Sequence, residues 1–292
     1  MRRRNNTNIV IGWNLLVICT LSIALYFYNF FSTNTYSDDK NTFGKDIKRI
    51  FQKGKARNIS KEEVESYVLK LKAEGKPINI TEQFGFNLSN SELSGIYMKY
   101  VNLRGANLSS SLIDLAILES SDLTGVDFSL ASLKGTRLAG STVNRAILNE
   151  ANLEYCDLSN ASLVDSDMQK VNLSGANLSG ANLAGANLSN ANLAGANLSG
   201  ANLSDCILNG ANLSGANLTK TNIYNADMER VNFEGADFSY AKLVDSNIRN
   251  SNLKKAKLYF SDLRGVSFLG SNLDSTKLDH SRIDYVEGLK NK

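Results

Sequence analysis

The sequence predicts an all-β solenoid carried behind a membrane-spanning helix and a short helical cap. Three observations carry that expectation: an uncharged apolar run from Ile9 to Phe31, a helix-start signature at Ser60, and a large apolar residue at every fifth position from Leu88 to Ile283, forty in succession. Composition narrows the chemistry before any motif is read. With 3 cysteines and 1 histidine in 292 residues, the chain offers neither a disulfide framework nor a Cys₄ or His₂ metal set. Its 32 Lys+Arg against 29 Asp+Glu conceal an asymmetry, for residues 1–85 carry a net +6 and residues 86–285 a net −4.

The amino-terminal flank, residues 1–8, contains Arg2, Arg3 and Arg4. The span 9–31 that follows would reach roughly 34 Å as a helix at ~1.5 Å per residue, enough for a hydrocarbon core of about 30 Å. Trp13, Tyr26 and Tyr28 lie near its two ends, where amphipathic rings settle at the headgroups. A cleaved signal peptide is the competing reading, but Phe31-Ser32-Thr33-Asn34 supplies no small-x-small cleavage site. The compact arginine triplet places the amino terminus in the cytoplasm and the repeat domain on the non-cytoplasmic side of a single-pass protein, with Lys40, Lys45, Lys48 and Arg49 as a nearly balancing set beyond the span. Residues 32–59 read as a linker. Within it, residues 45–57 space Ile47, Ile50 and Phe51 helically among basic residues, either a short amphipathic helix on anionic lipid or a solvated connector.

Residues 60–85 form the expected cap. Ser60 with Glu63 makes a capping box, Val64, Tyr67, Val68 and Leu71 form a helical stripe, and Gly75 and Pro77 stop it. A repeat array needs such a cover for its first layer.

The repeat domain spans residues 86–285, followed by a tail, 286–292. Two residues before each fivefold apolar residue stands a small one, with Phe86 and Ile96 as the exceptions. Period five suits neither regular element, because a helix would smear the leucines around its circumference and a flat strand would alternate them between faces. The backbone must therefore bend once per repeat. On a short extended segment, residues two apart share a side, so the small residue and the leucine point inward and the Asn or Asp between them points out. The last two residues turn the corner. Proline, which would delete a ladder donor, is absent from residues 78–292.

These repeats, seen in almost pure form as Ala176-Asn177-Leu178-Ser179-Gly180, resemble the pentapeptide-repeat family, whose consensus is A(D/N)LXX. The resemblance covers roughly two thirds of the chain. It implies a right-handed quadrilateral β-helix with four repeats per coil, hence about ten coils and a rod of about 48 Å at ~4.8 Å per coil. It also implies that residues 20 apart stack. On that register Cys156 and Cys206 occupy small inward positions on opposite walls, too far apart for a disulfide. Some family members protect DNA gyrase by imitating duplex DNA, and some dimerise end to end through the final coil.

Function must then reside on outward residues. Residues 171–218 expose only Asp205 as a charge. On the implied register Tyr240, Phe260 and His280 form an aromatic column, with Tyr259, Lys257 and Lys277 beside it, a candidate partner-binding surface or a simple stiffening stack. At the other end Tyr97, Ile117, Leu112, Leu115 and Leu130 face outward and are expected to pack against the cap helix. No catalytic, cofactor-binding or metal-binding residues are assigned: His280 has no partner nucleophile, and glycine recurs as a corner rather than a phosphate loop. The expected function is a non-enzymatic, membrane-anchored scaffold or protein-interaction rod, with an unknown protein partner, no nucleic acid, no cofactor and a possible homodimer through the C-terminal coil. The alternative is a DNA-mimicking binder or protector of a type II topoisomerase such as DNA gyrase. Its weakness is charge, since B-DNA carries one negative charge per ~1.7 Å, or about 28 over the rod's length.

Overall fold

The computed structural model describes residues 60–289. The expected membrane span Ile9 to Phe31, its basic flank and the linker 32–59 lie outside the described residues. Among those described, no helix is long and apolar enough to cross a membrane.

The chain enters through α1, Lys61–Ala73, whose capping box pairs Ser60 with Glu63 in both directions. Val64, Val68 and Leu71 bury its inner face in the same continuous core as Leu88 and Leu93. Tyr67 meets Phe84 edge-on at 5.5 Å between centroids. After Gly75 and Pro77 the chain makes β1, Ile78–Asn79, which pairs in parallel with β2, Val101–Asn102. The one-turn helix α2, Ile80–Phe84, is capped by Asn79 and leads into the rod. Neither β1 nor α2 is signalled by the sequence, because two residues of strand and five of helix are shorter than any periodicity.

From Asn87↔Asn107 to Ser267↔Glu287, every bridge joins residues 20 apart in parallel, so four repeats close each coil. One repeat accounts for its own backbone donors. In the repeat 176–180, Ala176 N–H closes the preceding corner on Leu173 O at 3.0 Å, Asn177 N–H reaches back one coil to Cys156 O at 2.8 Å, and Leu178 N–H reaches forward to Asn197 O at 2.7 Å. Gly180 N–H donates to Ser199 O at 2.9 Å. The fifth donor, Ser179 N–H, goes to Asn177 Oδ1 at 3.2 Å. That last bond is the physical reason for Asn or Asp at the outward position: its carboxamide satisfies an amide that the coil geometry leaves over. Where the residue is Ser instead, as at Ser132 and Ser162, the coil beneath supplies the acceptor, Asp114 Oδ1 to Lys134 N at 2.8 Å and Asn144 Oδ1 to Val164 N at 2.9 Å.

Each corner carries a positive φ at its third residue, glycine or not, with Leu115 at 59°, Tyr155 at 57° and Phe260 at 56° beside Gly180 at 66°. A single positive value in that place is the type II pattern. The asparagine carboxamides also stack into ladders. Asn172, Asn192, Asn212, Asn232 and Asn252 each donate through Nδ2 to the Oδ1 of the residue one coil below, at 3.1 to 3.2 Å.

The leucines fill the tube from Leu88 through Phe268, each buried side chain contributing about 1.5–3 kcal/mol. Buried hydroxyls at the small position donate to a carbonyl either 23 residues back, as Ser111 does to Leu88 O at 3.0 Å, or three residues back, as Ser141 does to Leu138 O at 2.6 Å. Ser91 has no coil beneath it, and its hydroxyl is the one buried side-chain polar atom without a partner among the described residues.

The two ends depart from the expected pattern. Phe86 is exposed rather than inward, because the first coil is still closing there. Leu273 and Leu278 are only half-buried and Ile283 is exposed, since no further coil covers them among the described residues. The tail is correspondingly not free. Phe268 N–H donates to Glu287 O at 2.9 Å, and Val286 and Leu289 pack against the end of the core.

Candidate functional site

The four-repeat coil places the third corner residue of successive coils in one column, and so assembles the predicted aromatic stack. Tyr240 lies on Phe260 with centroids 5.2 Å apart and planes within 4°, and Phe260 lies on His280 at 4.8 Å and 12°. Both faces of Phe260 and one face each of Tyr240 and His280 are therefore spent within the stack. A face-stacking platform for successive bases is excluded by that geometry along the column. Tyr259 precedes Phe260 at the same corner and is half-buried, its carbonyl accepting from Tyr240 N–H at 2.8 Å.

Lys257 and Lys277 occupy stacked outward positions on the adjoining wall, joined by a backbone bridge. Lys257 Nζ reaches Asp237 Oδ2 at 3.3 Å. Partial burial opposes the charge on Asp237, but the Ser239 hydroxyl and amide, with Lys257, outweigh it and hold the carboxyl below its ordinary range. All six residues singled out from sequence thus converge on one corner and the wall beside it.

At the opposite end the expected packing against α1 is not found. Leu112 is 47% exposed, Leu115 69% and Leu130 61%. Helix α1 lies across the open end of the first coil rather than along its side, so it reaches Tyr97 only through Lys72, whose Nζ sits 3.8 Å from the ring centroid. That these leucines face outward was legible in the sequence; that they stay uncovered was not, with Leu115 and Leu130 at corners where Gly or Asn suits a positive φ and Leu112 at the outward position of its repeat.

Acidic residues do not form a continuous face. Glu119 lies between Lys99, at 3.0 Å, and Arg137, Glu154 meets Lys134 at 2.8 Å, Glu150 meets Lys170 at 2.8 Å, and Asp262 holds Arg264 at 2.8 Å. Among the described residues no cluster is suited to a metal ion. Cys156 and Cys206 are buried and free, and burial pushes both thiols up to about 12.

A filled four-walled tube of stacked five-residue turns defines a class of solenoid rods. The sequence profile described as "Pentapeptide repeats" matches residues 114–149, 146–185, 172–210, 196–235, 232–268 and 251–284. The chain belongs to the pentapeptide-repeat family. No curated protein matches it. Among solved structures it is similar to HetL, a pentapeptide repeat protein involved in heterocyst differentiation regulation from the cyanobacterium Nostoc sp. strain PCC 7120, at 29% identity over 75% of this chain and 95% of that one, with a TM-score of 0.42. It is also similar to full-length QnrB1, a plasmid-mediated fluoroquinolone resistance protein, at 22% identity over 60% of this chain and 92% of that one, with a TM-score of 0.51. The second likeness supports the solenoid fold.

Proposed function

We propose that the chain is a non-enzymatic rod, anchored in a membrane through Ile9 to Phe31, that presents a protein-binding surface at its far end. The observation that carries this reading is the distribution of exposed large apolar side chains. They cluster up to Tyr155 and again from Ile207 to Tyr285, with none between. The intervening coils serve as a spacer, and the candidate contact surface is Tyr240, Lys257, Tyr259, Phe260, Lys277 and His280.

Replacing Tyr240, Phe260 and His280 together by Asn keeps residues suited to the corner conformation, so folding should survive while partner capture is lost. Retained capture would remove the column from consideration. The open last coil supports a homodimer as a further part of the proposal: the amides of Leu273, Leu278 and Ile283 find no acceptor among the described residues. Light scattering should then report a mass that falls to the monomer in Leu278→Glu. A reporter fused after Lys292 tests the anchor and should read the non-cytoplasmic side. No observation favours the topoisomerase reading, and a supercoiling assay without inhibition or protection would close it.

A further inference from the structure

The wall that faces outward through Asp122 and Thr142 carries a hollow of about 500 Å³. Its corners are bare: nothing lies within 4 Å of a Cβ at Gly125, and at Gly140 only Ser120 Oγ approaches one, at 3.6 Å. Arg104 and Arg145 line the hollow from two coils. Elsewhere on the rod, opposite charges 20 residues apart pair, as Lys99 does with Glu119 at 3.0 Å, Lys134 with Glu154 at 2.8 Å and Lys170 with Glu150 at 2.8 Å. Arg145 and Asp165 stand in the same relation and do not pair. Although Asp165 borders the hollow, its carboxylate leans onward, with Oδ1 2.6 Å from the place of a Cβ at Gly185. Arg145 therefore has no ion-pair partner among the described residues, and Arg104 has only Asp122 Oδ2 at 3.9 Å. Arg145 is also held at a φ of 55°, in a column where Gly105, Gly125 and Gly185 adopt positive values at less cost. A strained, exposed cation without a structural partner points to a ligand.

The unused capacity around the hollow is mostly that of donors. The hydroxyls of Ser120, Thr124 and Thr142 make no hydrogen bond among the described residues. Asn144 Oδ1 already accepts from Ser162 Oγ at 2.7 Å and Val164 N–H at 2.9 Å, which leaves its Nδ2 to donate. Asp122 Oδ1 is likewise taken, by Thr124 N–H at 3.0 Å. Two guanidinium groups, one carboxamide and three hydroxyls offer more donors than the two oxygens of a carboxylate can use, whereas each phosphoryl group brings three strong acceptors. The levels of Arg104 and Arg145 lie two coils apart, roughly 10 Å, so the fitting ligand is elongated rather than a single ion.

We propose that this hollow binds a small polyphosphate anion, its ends held by Arg104 and Arg145 and its length by the hydroxyls of Thr124 and Thr142 and by Asn144 Nδ2. The site lies far along the rod from the Tyr240–Phe260–His280 column and does not depend on that surface binding anything.

Calorimetric titration of the full chain with inorganic triphosphate in ~0.15 M salt tests it, since salt at that level screens loose surface attraction. One equivalent should bind with a Kd below about 1 mM and should raise the thermal midpoint, because the two guanidinium groups meet the anion together only in the folded coil. Arg104→Gln and Arg145→Asn, the second suited to the corner conformation, should each weaken binding at least about tenfold while the unliganded rod melts as before. Asp122→Asn keeps an acceptor for Thr124 N–H and releases Arg104, so it should tighten binding. Arg249→Gln, at an exposed cation on another wall, should leave binding unchanged. Citrate, which is similarly charged but carries carboxylates, should bind at least about tenfold more weakly. The proposal is overturned if triphosphate does not bind up to about 10 mM, if either arginine variant binds as the native chain does, or if Arg249→Gln costs as much, since the attraction is then to net charge alone. Equal binding of citrate would equally overturn it by removing the phosphoryl group as the feature recognised.

Discussion

Between residues 171 and 218 the rod is nearly a single sentence repeated, and apart from Asp205 and Ile207 its four walls are Asn, Ser, Ala and Gly around a leucine core. The last three coils are built on the same backbone yet carry Tyr240, Phe260, Leu269 and Tyr285 on their surface. Both regions close four repeats per coil through the same parallel bridges, so the side chains that differ between them are not required by the fold. The middle shows what the solenoid needs, and the ends show what has been added to it. Side chains that exceed the structural requirement are therefore the place to look for function.

The sharpest test of that contrast is in the core. Leu198→Ala removes a fully buried side chain between two intact coils and should cost about 2–5 kcal/mol in urea unfolding. Leu278→Ala, in the half-buried final coil, should cost less than about 2 kcal/mol, because solvent already reaches it. Equal costs would mean that the end is covered as well as the middle. Next in size is the outer ladder. Asn192→Ala deletes the bonds to Asn172 Oδ1, from Asn212 Nδ2 and from Ala194 N–H, and should cost about 1–3 kcal/mol. At the corners, Gly200 and Gly180 share a positive φ but differ in neighbours, with nothing within 4 Å of a Cβ at Gly200 and Asn160 Oδ1 2.6 Å from one at Gly180. Gly200→Ala should cost about 1 kcal/mol through backbone strain alone, and Gly180→Ala more, since Asn160 must swing away. The smallest effect belongs to the surface charges. Glu119→Gln breaks its pairs with Lys99 and Arg137 yet should lower the melting temperature by less than about 4 °C, and by less still in high salt.

How much of this was legible in the sequence follows from which interactions are local. Each repeat carries its own leucine and small residue, so the inward pattern could be read from Leu88 onward, and Ser60 with Glu63 announced the cap helix. The closure of four repeats per coil could not be read from composition, because successive walls between 171 and 218 are chemically alike, and only the family resemblance supplied it. Nothing local marks Leu115, Tyr155 or Phe260 as left-handed, for the coil imposes that conformation from outside against their own preference. The Asn ladders were invisible for the same reason: an outward asparagine looks solvated until the residue 20 positions away is known to lie above it. The aromatic column needed only the coil register, and so it was found, whereas the leucine wall was misplaced because the direction in which α1 crosses the first coil is a tertiary fact.

The most direct test is a pair of deletions in the uniform middle. Removing residues 181–200 excises one coil between paired positions such as Asn182↔Asn202, and every column should reconnect in register. Removing residues 181–192 cuts across both the fivefold and the twentyfold spacing, so inward leucines on the two sides of the junction no longer share a wall. Circular dichroism and thermal unfolding of the full chain should find the first variant folded, with a midpoint close to that of the parent, and the second unfolded or split into two independent transitions. Equal tolerance of both deletions would contradict a tube closed by four repeats per turn.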